Sequence, residues 1–210
     1  MIIWFATGNA HKKQELAAIL AAAVPGLDVK IPRDAGIADF DPDETGSSFY
    51  ENALIKAREL RRLLDAKGIA GPVVADDSGL CVDALGGRPG ILSARYGGLD
   101  GGKIGAAERN ALLLAEIGER QPRNARFVCA MVLLRGADRF CLVQETLEGE
   151  IIGRGETGRG RGGFGYDPVL YLPEQGKTVA ELSEEEKNRI SHRGKAGRVI
   201  AGILELSCQK

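Results

Sequence analysis

The stretch VVADDSGL at residues 73–80 sets two aspartates, Asp76 and Asp77, side by side at the end of an apolar run. Strand side chains alternate faces, so the two carboxylates point opposite ways if a strand continues through them. If Val73, Val74 and Ala75 are buried in a sheet, at least one carboxylate is held close to its edge. Like charges there cost stability unless something compensates them, and a divalent cation is one common compensator. A solvated turn is the other reading, because Asp, Ser and Gly are ordinary turn residues.

Four more segments combine suggestive chemistry with an ordinary alternative. In TGNAHKK, residues 7–13, Thr7, Gly8 and Asn9 offer donors where a helix start presents free N–H groups. Lys12 and Lys13 fall in the first turn, where the helix dipole disfavours cations by roughly 0.3–1 kcal/mol. A bound anion such as a triphosphate reverses that penalty, whereas lysines pointing into water need no ligand. The segment lacks the second glycine and the GK[ST] ending of a Walker A loop, which excludes the P-loop enzymes. DPDETG places Glu44 just ahead of a helical pattern, in what also reads as a solvated acidic turn. In GGFGYDP the glycines allow close backbone approach, and Phe164 and Tyr166 take opposite sides of an extended segment. One ring then faces a flat ligand while the other joins the core, or both are core residues of a glycine-rich turn. EEEKNRISHRGKA sets Lys187, His192 and Arg193 near a helix end and the turn after it, where basic residues need no special reason.

The elements that must position these residues follow from periodicity. Residues 2–6 read as a buried strand, and HKKQELAAILAA as a helix with Leu16, Ile19, Leu20 and Ala23 on one face. Pro25 and Gly26 stop it, and a short strand follows around 28–31. Ser48 and Glu51 have capping-box spacing for a helix running to about residue 67, with an apolar stripe of Phe49, Ala53, Ala57, Leu60 and Leu64. A strand precedes Asp76, a third helix covers 103–118, and two strands flank a short turn at Gly136–Asp138. A short strand near 169–172 follows the glycine-rich loop. Ser183 and Glu186 open a helix through EEEKNRIS, and AGRVIAGILEL forms the last helix. Helices alternate with strands early and a hairpin follows, which predicts α/β with a mixed sheet.

Bulk properties narrow the class. The chain has 210 residues, 44% hydrophobic and 27% charged, with a net charge of −1, so no basic field points to nucleic acid or an anionic membrane. Aromatics are 5%, too few for a basic stripe interleaved with stacking rings. No apolar stretch approaches membrane-spanning length, and the first apolar run has no basic region before it, unlike a signal peptide. The four cysteines form no CxxC or Cys/His pattern. Cys81, Cys129 and Cys141 lie in apolar runs, as reduced core thiols of a cytoplasmic protein do.

TGNAHK, ETGSSFYENALIKA, ADDSGL, GGRPGILSARY, GGFGYDP and EKNRISHRGKA stand in the order found in the inosine triphosphate pyrophosphatase family. The chain resembles its bacterial-type branch, the dITP/XTP pyrophosphatases, with FGYDP in place of the eukaryotic-type FGWD, over Thr7 to about Ala196. The resemblance implies one domain over residues 1–210 without a separable linker. It also implies an elongated mixed sheet flanked by helices, and two lobes with the active site in the cleft between them. The implied activity is hydrolysis of non-standard purine nucleoside triphosphates, dITP/ITP and XTP/dXTP, to the monophosphate and pyrophosphate. Mg2+ and a cytoplasmic homodimer are implied with it. The family's substrate loop falls on Thr7, Gly8, Asn9, Ala10, His11 and Lys12, which makes Lys12 and not Lys13 the phosphate contact. Its catalytic, metal-binding aspartate falls on Asp77, with Ser78 beside it touching substrate, and its second metal-binding acid on Glu44. Its base pocket falls on Phe164, Gly165, Tyr166, Asp167, Lys187, His192 and Arg193.

On this reading Asp77 holds the metal or activates the attacking water, and Asp76 supports the site or the turn. Lys187 and Arg193 carry only donors, as does protonated His192, and they suit the 6-keto group of hypoxanthine and xanthine. Adenine presents an amino group there, a mismatch that rejects a substrate by about 10⁴-fold in a buried site. The competing readings are a triphosphate phosphatase, a Maf-like diphosphatase for modified pyrimidines, and a silent nucleotide-binding module. The acid pair of Glu44 and Asp77 argues against the last, since binding alone is served by basic residues.

Overall fold

The computed structural model describes residues 1–98, 104–136, 139–153 and 155–208, with the side chains up to 206. Its strands are β1 (Ile2–Phe5), β2 (Asp28–Lys30), β3 (Val73–Val82), β4 (Asn124–Leu134), β5 (Phe140–Ile151), β6 (Leu170–Leu172) and β7 (Lys177–Thr178). The helices among the described residues are α1 (Ala10–Ala23), α2 (Phe49–Ala66), α3 (Ala106–Ile117), α4 (Glu184–Ile190) and α5 (His192–Cys208). All seven strands join one sheet in the order β2-β1-β3-β4-β5-β6-β7. β1 pairs parallel with β2 and β3, and β6 pairs antiparallel with β5 and β7, so the sheet is mixed as expected.

The chain forms two compact units. The first comprises 1–77, 129–145 and 192–210, and the second 78–128 and 146–191. In the first unit the alternation of β3 is explicit. Val74 packs with Leu16 and Leu20 of α1 and with Ala196, Ile200 and Leu204 of α5. Val73 and Ala75 pack with Ala53, Ala57, Leu60 and Leu64 of α2. Each fully buried Leu adds roughly 1.5–3 kcal/mol, which pins α1 and α5 to one face of the strand and α2 to the other. The core of the second unit gathers Leu80, Val82, Leu113, Ile117, Phe127, Leu147 and Tyr166.

Several expectations need correction. DDSG is not a turn, because β3 runs straight through it. Gly79 permits this: a Cβ there would stand 2.4 Å from the Gly90 carbonyl oxygen and 2.4 Å from Ser93 Oγ, which instead accepts from Leu80 N–H at 2.8 Å. α5 starts at His192, not at residue 196, since Ser191 alone, with ψ 157°, separates it from α4. His192 and Arg193 therefore occupy a first helical turn and not a connecting turn. α3 starts at Ala106, and residue 103 of its expected range lies outside the described residues, as do 137 and 138 of the expected hairpin turn. Of the expected core thiols Cys129 is buried, while Cys81 and Cys141 are half-buried. The two-residue β7 has no periodicity to betray it in sequence.

Candidate active site

The two aspartates of β3 have different surroundings because they project from opposite faces. Asp76 lies on the α1/α5 face, with its side chain fully buried. Lys12 Nζ donates to its Oδ1 at 3.0 Å, and Arg193 donates to its Oδ2 through Nε at 3.1 Å and Nη2 at 2.9 Å. Burial pushes this carboxyl up, but Lys12, Arg193 and Lys56 outweigh burial and hold it well below the usual carboxylate range. Arg193 also donates through Nη1 to Glu15 of α1 at 2.6 Å, so its fork ties α5 to both β3 and α1. The Cys129 thiol lies 3.9 Å from Asp76 Oδ2, and burial beside that negative charge pushes it up to about 12.

Lys12 reaches Asp76 because α1 starts where it does. Asn9 caps the helix, its Oδ1 accepting from His11 N–H at 2.9 Å and Lys12 N–H at 3.2 Å. Thr7 Oγ1 accepts from Asn9 N–H at 3.1 Å. Several N–H groups expected to greet an anion are thus already engaged within the loop. Lys13 turns instead to Asp34 at 3.3 Å on the surface. Gly8, Asn9, Ala10 and His11 are exposed, while Thr7 is buried.

Asp77 faces α2. Lys56 Nζ donates to Asp77 Oδ1 and to Glu44 Oε1, each at 2.8 Å, and Asn52 Nδ2 stands 3.4 Å from Asp77 Oδ2. Glu44 is brought here by its loop: Gly46 N–H donates to Asn52 Oδ1 at 2.8 Å, and a Cβ on Gly46 would meet that oxygen at 2.7 Å. Ser48 caps α2 by accepting from Glu51 N–H, but the Glu51 carboxylate reaches one residue further, to the N–H and hydroxyl of Ser47 at 2.7 Å each. Burial pushes the Asp77 carboxyl up, and Lys56 recovers only part of that shift. Lys56 itself stays charged: burial lowers its pKa, but Asp77, Asp76 and Glu44 raise it more.

Glu15, Glu44, Asp76 and Asp77 thus meet Lys12, Lys56 and Arg193, four acids to three cations. Among the described residues no three acidic, His or Cys side chains are placed to hold a metal ion together. A pair is enough for a hard divalent ion that completes its shell with water and phosphate oxygens, so Glu44 and Asp77 fit such an ion. Lys56 and Asn52 went unnoticed in the sequence. Their signal was phase: both fall on the buried face of α2, in register with Ala53, Ala57 and Leu60, where polar side chains need a partner.

The second unit holds a separate cluster. Asp167 is buried and its Oδ2 accepts from Lys187 Nζ at 2.7 Å and from Phe164 N–H at 2.7 Å. Lys187 Nζ also lies 4.8 Å from the centre of the Phe164 ring. Gly163, at φ +68°, makes room for this arrangement, since a Cβ there would fall 2.0 Å from the Asp167 carboxylate. Tyr166 is buried, donates to the Ser93 carbonyl at 3.0 Å and has its hydroxyl pushed up by burial. Tyr166 joins the core, whereas Phe164 is half-buried beside Lys187. Gly165 anchors the loop by accepting from Asn110 Nδ2 at 3.1 Å. The expected base-pocket group divides between the units: Phe164 to Asp167 and Lys187 belong to the second, while His192 and Arg193 belong to the first, where Arg193 is engaged with Asp76 and Glu15. Ser78, on the other side of the same boundary, is half-buried in β3.

The family model that describes the Ham1 family matches residues 3–202. A dITP/XTP pyrophosphatase of Treponema denticola is 49% identical, covering 93% of this chain and 94% of its own. The structure of a HAM1 protein from Coxiella burnetii superposes with a TM-score of 0.82 at 35% identity, covering 98% of each chain. The Staphylococcus aureus Ham1 protein gives 0.80 at 36% identity, covering 99% of this chain and all of its own.

Proposed function

Because the chain belongs to the Ham1 family, we propose that it hydrolyses dITP/ITP and XTP/dXTP to the nucleoside monophosphate and pyrophosphate, clearing non-standard purines from the nucleotide pool. The observation that carries this reading is the meeting of Glu44 and Asp77, from separate segments, on one cation, in a chain whose relatives are named dITP/XTP pyrophosphatases. Glu44 and Asp77 are the residues that would hold Mg2+, whose charge offsets that of the triphosphate and the departing pyrophosphate. Asp77 orients or activates the water that attacks the α-phosphorus. Lys12, anchored on Asp76, has two further N–H donors for phosphate oxygens, and the loop from Thr7 to His11, with Ser78, lines the same end of the substrate.

The base falls to the second cluster. Lys187, held by Asp167 and the Phe164 ring, offers its donors to the 6-keto group, and Phe164, Gly165 and Tyr166 shape the platform. Arg193 serves the first unit instead, as the support of Asp76. The enzyme works as a cytoplasmic homodimer, which sedimentation of the purified protein tests. The decisive assay supplies Mg2+ with ITP, XTP, GTP or ATP and scores pyrophosphate against phosphate. Pyrophosphate from ITP and XTP, with little from ATP or GTP, is expected; phosphate as the product, or no turnover of ITP, overturns the proposal.

A further inference from the structure

Lys56 occupies a helix position in phase with an apolar stripe, and its side chain is only 10% exposed. Its ammonium is shared between Glu44 and Asp77 at 2.8 Å each. If those carboxylates are the metal pair, the protein's own cation sits on the metal's ligands. Lys56 takes one oxygen of each carboxylate, and a divalent ion on the same pair at about 2.0–2.1 Å would stand so near the ammonium that the two positive charges repel. The root of Lys56 is fixed, because its neighbours Ala53, Ala57 and Leu60 are packed in the α2 core. Its four-carbon stem is flexible, so the ammonium can leave without any movement of the helix. Asn52 lies against Oδ2 of Asp77, the oxygen that Lys56 does not use, and keeps the carboxylate oriented through such an exchange.

We propose that Lys56 is a tethered competitor of the divalent cation: it holds Glu44 and Asp77 together while no metal is bound, weakens binding of the free ion, and is displaced from the pair when the metal enters. The proposal rests on the assignment of Glu44 and Asp77 as the metal pair. Its consequence is that the free ion alone binds poorly. Exchange leaves both the ion and the released ammonium in the site, and this extra positive charge favours a metal that arrives with its triphosphate.

The test is binding of Mn2+ alone to the full chain, without nucleotide, followed by the electron paramagnetic resonance of the free ion. Lys56→Met is expected to bind Mn2+ at least about tenfold more tightly than the wild type, and Glu44→Gln to lose binding. Equal or weaker binding by folded Lys56→Met, with binding lost in Glu44→Gln, overturns the competition. Binding untouched by Glu44→Gln overturns the metal assignment instead. Should Lys56→Met fail to fold, the wild type decides. The Cε–H resonance of Lys56 is expected to shift in step with Mg2+ occupancy, and a resonance unmoved at saturation overturns the proposal.

Discussion

Asp76 and Asp77 are chemically identical neighbours on one strand, yet one is saturated and the other is shared. Asp76 receives three charge-assisted bonds from Lys12 and Arg193 and is held ionised deep in the α1/α5 layer. Asp77 receives one from Lys56, divides that cation with Glu44, and is pushed up by burial. A saturated carboxylate ties elements together, whereas one held by a flexible lysine is free to exchange partners. β3 separates the two roles by the flip of a single residue.

The largest effect that probes this contrast is expected from Asp77→Asn, which should lower kcat by at least about 10³-fold while the unfolding midpoint in denaturant barely moves. A strongly destabilised Asp77→Asn would erase the contrast. Asp76→Asn should do the reverse. Breaking a buried charge pair from one side costs about 3–5 kcal/mol, read by urea unfolding, with kcat surviving wherever the protein is folded and KM raised because Lys12 loses its anchor. Arg193→Ala shares that loss, because it removes two of the three bonds to Asp76. Lys187→Met sharpens the comparison by moving it to the second unit. It should narrow the ITP-over-ATP preference in kcat/KM by about tenfold or more and leave Mn2+ binding in the first unit unchanged. The smallest effect belongs to Asn9→Ala, which removes the cap of α1 for about 1 kcal/mol in thermal unfolding. It should weaken phosphate affinity through Lys12 without touching the Asp77 side.

Much of this was legible in the chain. The stripe of α2 announced itself through Ala53, Ala57, Leu60 and Leu64, all buried, while Phe49 at its start is only half-buried. The Ser183/Glu186 box is present in both directions, because each partner needs only the other's backbone three residues away. The turn reading of DDSG failed for the opposite reason. Asp, Ser and Gly favour turns when nothing else claims them, but here Lys12, Arg193, Lys56 and Ser93, all remote in sequence, supply partners on both faces of an unbroken strand. Lys56 carries no decisive local signal, because a lysine in a helical stripe can also lay its stem along the surface and keep its charge in water.

The sequence by itself determined the order of the elements long enough to show a period, the two caps and the family motifs, since each depends on residues within a few positions of one another. The alternation of those elements along the chain determined the mixed α/β class. Only the tertiary structure decided which carboxylate is saturated, that Lys56 bridges Glu44 and Asp77, and that Arg193 answers to Asp76 and Glu15. Charge pairing depends on which helix is stacked on which face of a strand. Burial of apolar surface, which carries no information about ion pairs, makes that choice.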